Sequence, residues 1–154
     1  MSTAPVTRKP GLTQTDWDHV HTQVQTAFDA LAQRVRSSCP AVVVRDGGKS
    51  VGRVWFLFSF REFNLSADDS KAEDIIAGVH FSPEGDGIRI RADVGGAETG
   101  QIDYEAPERV VPANLGAVMA AVRDLTDRLI GQEEVVVTAM SERRPPPNYR
   151  QRSR

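Results

Sequence analysis

The stretch SVGRVWFLFSFREF, residues 50–63, decides the fold, because aromatic and β-branched residues dominate it. Successive side chains of a strand point to opposite faces of a sheet. A single strand of this length would run ~43 Å, so we expect a bend or bulge near Gly52. The face expected to lie in the core carries Val54, Phe56, Phe58 and Phe60.

The opposite face of this strand combines aromatic, aliphatic and Arg side chains, and a later strand in matching register would add two more Arg. Trp and Arg are enriched in the cores of protein interfaces. The same composition would suit an anionic ligand or stacked bases, and a solvated face with one Trp covered by Arg stems is the ordinary alternative. The predicted interaction surface consists of Arg53, Trp55, Leu57, Arg61, Arg89 and Arg91.

Two amphipathic helices flank the β region. Apolar residues recur at steps of three and four over residues 13–37, where Thr13 can form a capping box with Asp16. Asn114 is the expected N-cap of a second helix. Gly131 stands at the position where a glycine in the left-handed conformation commonly ends a helix. Both helices have one apolar face and therefore need a surface to cover.

Further strand patterns follow the first helix and the second. The sequence Asp46-Gly47-Gly48 has turn chemistry, and it predicts a hairpin between a first short strand and the long strand. The order of elements predicts an α+β fold, a two-layer sandwich with an antiparallel sheet of four to six strands and both helices packed on one face. The shorter strands are predicted at residues 41–46, 75–82, 88–94, 101–105 (with Ile102 and Tyr104 inward) and 135–140.

Charge is segregated along the 154 residues, although the net charge is only −2. Residues 1–11 carry two basic side chains and residues 141–154 carry five Arg and one Glu, which leaves a net charge of −8 for residues 12–140. The composition predicts one α+β domain at residues 12–140 between two disordered arms. Weak, salt-dependent binding of nucleic acid is expected only through the tail residues Arg143, Arg144, Arg150, Arg152 and Arg154.

Cysteine content and hydropathy limit the cellular locations that we expect for the protein. Cys39 is the single cysteine, so no intramolecular disulfide is possible. The longest apolar run, residues 54–58, is too short to span a bilayer, and the first 11 residues lack the apolar core of a signal peptide. We therefore expect a cytoplasmic protein that does not contact membranes.

The sequence contains no complete catalytic, cofactor or metal motif, so we predict none of these sites. Gly48-Lys49-Ser50 ends like a phosphate-binding loop, but it lacks the required upstream Gly and the following helix. His19 and His21 stand two residues apart on a helix and point in different directions, so they cannot share one metal ion. Asp18 and His21 do share a face, but the ordinary interpretation is that Asp16 and Asp18 complement the helix dipole and that His21 flanks the apolar stripe.

Two functions remain open at this level. The absence of a motif and the two-faced long strand favour a non-catalytic protein–protein interaction or adaptor module that forms a homodimer. The alternative is a small-molecule-binding or enzymatic domain with a pocket between a curved sheet and a helix. The residues expected to point into such a pocket are Asp18, His21, His80 and Tyr104.

Overall fold

The computed structural model describes residues 11–52, 55–65 and 72–142. Three helices and a six-stranded antiparallel sheet make up this part of the chain, which confirms the predicted α+β class. In chain order the elements are α1 (Gln14–Ser38), β1 (Val43–Ser50), β2 (Leu57–Asn64), β3 (Ile75–Glu84), β4 (Gly87–Gly96), β5 (Ile102–Glu105), β6 (Arg109–Pro112), α2 (Leu115–Ile130) and α3 (Glu133–Glu142).

The sheet is a meander in which each of the first four strands pairs with the next. β5 pairs with the end of β4 around Val94, and β6 pairs with its beginning around Ile88. β5 and β6 therefore share the outer edge of β4, while β1 forms the opposite edge of the sheet. The sequence analysis missed β6, whose four residues are mostly exposed.

The helices cover one face of the sheet. Thr13 and Asp16 form the predicted capping box of α1, and the buried residues of this helix follow the predicted spacing from Trp17 to Val35. On β4 every second residue from Ile88 to Val94 is fully buried. These side chains form one core between the sheet and the helices, because a two-layer fold buries one face of each layer.

The predicted turn at residues 46–48 is wrong. Gly47 and Gly48 lie inside β1, where the register to β2 shifts between Arg45 and Gly48 as in a β-bulge. Gly48 has a φ of 81°, a backbone conformation that glycine adopts without a steric penalty. These glycines bend an edge strand instead of forming a turn between two strands. The long strand predicted from residue 50 is split between β1 and β2.

The two faces of β2 are the reverse of the prediction. Leu57, Ser59 and Phe63 face the helices and are at most 2% exposed, and Arg61 beside them is 5% exposed. Phe58 and Phe60 point to the other face and are partly exposed, while Val54 lies outside the described residues. Alternation alone favoured the row with more aromatic rings, but polar groups on α1 make burial of Ser59 and Arg61 possible.

The strand predicted at residues 135–140 is also wrong, because this segment is part of α3. Val136, Ala139 and Met140 are buried at helical spacing against the rest of the fold. Packing of this face overrides the β-propensity of three consecutive valines. Gly131 has a φ of −80° rather than a left-handed conformation, and the chain passes almost directly from α2 into α3.

The composition predicted that the domain ends at residue 140, whereas α3 continues to Glu142. Residues 141 and 142, which the sequence analysis assigned to the tail, are the last turn of α3. Residues 1–10 and 143–154 lie outside the described part of the chain, and so do the five Arg of the tail.

Candidate functional site

Three rings lie in a parallel stack on the face of the sheet that the helices leave uncovered. The centroids of Phe58 and Phe60 are 4.6 Å apart with an interplanar angle of 12°, and those of Phe58 and His80 are 4.3 Å apart at 14°. We call Phe60, Phe58 and His80 the ring ladder. Phe58 and His80 are directly opposite each other on β2 and β3, so the ladder crosses the middle of the sheet.

Two glycines make room for the rings of the ring ladder. A Cβ at Gly78 would lie 2.5 Å from Cε1 of Phe58, and a Cβ at Gly47 would collide with the ring of Phe60. Gly78 itself is buried. The rings therefore lie down against the backbone of β3 and β1, and a glycine inside a strand marks such a close approach.

A cross-strand row extends the ring ladder to both sides. Ser50 on β1, Phe58, His80 and Arg91 on β4 are consecutive register partners. Arg91 is exposed and makes no ion pair with any residue in the described ranges. At the β1 end, Trp55 is 37% exposed, and its Nε1 donates a hydrogen bond to the carbonyl oxygen of Ser50 at 3.3 Å.

Acidic groups contact two other polar side chains of the uncovered face, His80 and Arg89. Nε2 of His80 lies 3.6 Å from Oδ2 of Asp93. Arg89 donates to Glu84 at 2.7 Å and pairs with Glu108 at 3.2 Å, and these contacts raise the pKa of Arg89. Arg91 is thus the cation of this row that is available to an incoming partner.

The structure separates the residues of the predicted interaction surface. Arg89, Arg91 and the exposed Trp55 are accessible, whereas Leu57 and Arg61 are buried beneath α1, so the predicted grouping is wrong for these two. Arg53 lies outside the described residues. The sequence analysis placed Phe58 and Phe60 in the core, and Gly78 was the one signal that could have corrected this, because a bulky ring covers it.

The four residues of the predicted pocket do not converge. Asp18 and His21 are on α1, on the covered side of the sheet, and His80 points away from them on the uncovered face. Tyr104 packs against the core from β5, while Ile102, its predicted inward partner, is 52% exposed. The structure therefore does not bring these four residues together in one pocket.

A polar network joins α1 to β2 where the sequence analysis expected a pocket wall. Nδ1 of His21 lies 2.8 Å from Oγ of Ser59, and Gln25 donates to the same oxygen at 3.0 Å. Nη2 of Arg61 donates to Asp29 at 3.0 Å and to Gln25 at 2.7 Å. Ser59 is fully buried, and the network supplies hydrogen-bond partners for its hydroxyl and for Nη2 of Arg61.

The pKa values of two titratable groups at the rim of this network, His21 and Asp18, are both lowered, but for different reasons. Burial lowers the pKa of His21, and the positive charge of Lys49 lowers it further. Hydrogen bonds from Gln14 and Lys49 lower the pKa of Asp18, which is exposed. His21 is therefore neutral under conditions in which an ordinary histidine begins to gain a proton.

We expect the folded protein to lose stability as the pH falls through the range below 6.5, the ordinary pKa of histidine. The unfolded chain binds the His21 proton more tightly than the folded chain does, so acid favours unfolding. Urea unfolding at several pH values should give a smaller slope of unfolding free energy against pH for His21→Gln than for the unchanged chain. His19→Gln, on the exposed side of α1, is the control, and equal slopes for the His21 variant and the unchanged chain would contradict this prediction.

Comparisons with known proteins give no further assignment. No protein-family model, curated protein or solved structure matches the chain. Within the described ranges, no group of three or more His, Cys, Asp and Glu residues could hold a metal ion. No helix among the same residues is long and apolar enough to cross a membrane.

Proposed function

We propose that the protein is a non-catalytic interaction module, and that two copies form a homodimer by packing their uncovered sheet faces together. The ring ladder is the observation that carries this proposal. An antiparallel sheet with one face in water normally alternates apolar residues inside with polar residues outside. Here the solvent side of the two middle strands carries Phe58, Phe60 and His80 instead.

The composition of the face supports protein contact. Aromatic rings bury large areas with few rotatable bonds, and Arg and Trp are the residues most often found as binding hot spots. The face offers two Phe rings in the middle and Arg91 on one side, and the exposed Trp55 is hydrogen-bonded to the backbone of Ser50 at the β1 end of the row. The net charge of −8 over residues 12–140 disfavours nucleic acid on this surface.

The cross-strand row is self-complementary, which favours a second copy as the occupant. Antiparallel sheets pack face to face with their strands within about 30° of one another. A two-fold axis parallel to the strands, between β2 and β3, brings Phe58 of one copy over His80 of the other. The same operation brings Arg91 to the end of the row where Trp55 lies, and a guanidinium over an indole is a favourable contact.

Light scattering coupled to size exclusion tests this proposal on the full chain. The expected mass is twice the chain mass of 16.9 kDa. Trp55→Ala removes an aromatic contact at the rim and should weaken the dimer about tenfold, or roughly 1.4 kcal/mol. A monomer at every concentration, or a dimer whose dissociation constant does not respond to Trp55→Ala, would contradict the proposed arrangement.

A further inference from the structure

A groove of about 590 Å³ lies between β5 and α3, away from the ring ladder. Val135 and Ala139 form its apolar floor, and Gln101 and Thr138 stand among the polar residues at its sides. Its lining also includes three carboxylates and, within the described residues, no basic side chain. These carboxylates belong to Asp103, Glu134 and Glu142.

The two carboxylates on α3 are available. Glu134 and Glu142 make no ion pair or side-chain hydrogen bond with any residue of the described ranges, and both are exposed. They are eight residues apart on the same helix, which corresponds to about 12 Å along its axis. The groove therefore presents two negative charges at a fixed spacing above an apolar floor.

The chain carries a segment that matches these features. Residues 143–154 follow directly after Glu142 and contain five Arg and no acidic residue. If the segment binds in an extended form, alternate residues would point to one side, and Arg150 and Arg154 would be about 13 Å apart. This spacing is close to the distance between the two glutamates, and Arg forms strong bidentate hydrogen bonds with carboxylates.

We propose that the groove between β5 and α3 binds the Arg-rich segment of its own chain, residues 143–154. Twelve residues can extend to about 40 Å, so the segment is long enough to turn back and run beside α3. A short connection to Glu142 gives the segment an effective concentration in the mM range. Weak individual ion pairs are sufficient at such a concentration, and salt should release the segment.

Paramagnetic relaxation in the full chain tests this contact. Cys39→Ser removes the only cysteine, and Ser153→Cys then accepts a nitroxide spin label. At low salt the amide signals of Gln101 and Thr138 should be lost through broadening, and they should return when Glu134→Gln and Glu142→Gln are combined. The control carries Asp86→Asn and Asp127→Asn, which remove the same charge from exposed sites outside the groove and should leave the broadening unchanged.

Three results would overturn the proposal. Unbroadened groove signals would mean that the segment does not bind there, and broadening that survives the double glutamate substitution would mean that the carboxylates do not hold it. A mixture of isotope-labelled chain without nitroxide and unlabelled chain with nitroxide detects contact between copies. Broadening in this mixture of comparable strength to that in the fully spin-labelled sample would assign the groove to the segment of a second copy. None of these outcomes depends on whether the uncovered sheet faces associate.

Discussion

Phe58→Asp is expected to convert the proposed dimer into a folded monomer and to raise its dissociation constant at least about 100-fold, or roughly 2.7 kcal/mol. Phe58 is the middle ring of the ladder and contacts both of the others. In the proposed arrangement a carboxylate at this position would be buried against the His80 rings with no Lys or Arg opposite it, and burying an unpaired charge is strongly unfavourable. Sedimentation equilibrium over a range of concentrations measures the change.

The fold of the Phe58→Asp variant should survive, because the side chain lies on the uncovered face and outside the core. Its thermal transition therefore provides a check that dissociation is not caused by unfolding. Ala120→Asp is the matched control, since it adds the same charge at an exposed position of α2. A folded Phe58→Asp variant that dimerises as tightly as the Ala120→Asp control would refute the proposed interface.

Glu73→Ala is expected to lower the free energy of unfolding by about 3 kcal/mol, the largest effect on stability that we predict for a single polar side chain. Glu73 is 3% exposed. Its Oε1 accepts hydrogen bonds from the backbone amides of Glu98 and Thr99 at 2.8 and 2.9 Å, and its Oε2 accepts one from the Thr99 hydroxyl at 2.8 Å. Truncation removes the acceptor that anchors the loop between β4 and β5.

Urea unfolding measures this loss, and the melting temperature should fall by about 10 °C for a domain of this size. Glu98→Ala is the control, because Glu98 belongs to the same loop and its side chain is exposed. A loss below about 1 kcal/mol for Glu73→Ala would place the carboxylate among ordinary surface groups. The same carboxylate fills the space beside Gly96, where a Cβ would lie 2.5 Å from Oε2.

Local patterns in the sequence predict the two longer helices, α1 and α2, and the alternation of β4 well. The capping box at Thr13, the N-cap at Asn114 and the alternation along β4 all depend on neighbours within a few residues, and the structure confirms each of them. The class of the fold follows from their order. Strand alternation also predicts which residues of β2 share a face, although not which face is buried, because the period of a strand is fixed at two residues.

Long-range contacts decide what the sequence does not predict. Burial of Arg61 on β2 depends on Gln25 and Asp29, 36 and 32 residues away, because these side chains accept hydrogen bonds from its Nη2. The run of valines in α3 is helical because the helix buries Val136 and Met140 in the core. The ring ladder is visible only once β1, β2 and β3 are in register, since its glycines and rings come from three strands.

An isotope-filtered NOE experiment on a mixed dimer of labelled and unlabelled chains tests the central claim most directly. If two copies pack their uncovered faces together, the ring protons of Phe58 and His80 give NOEs to protons of the other copy. Residues on the exposed side of α2, such as Ala120, give none. Intermolecular NOEs confined to the helices or to the edge strand β1, with none to Phe58 or His80, would contradict the account.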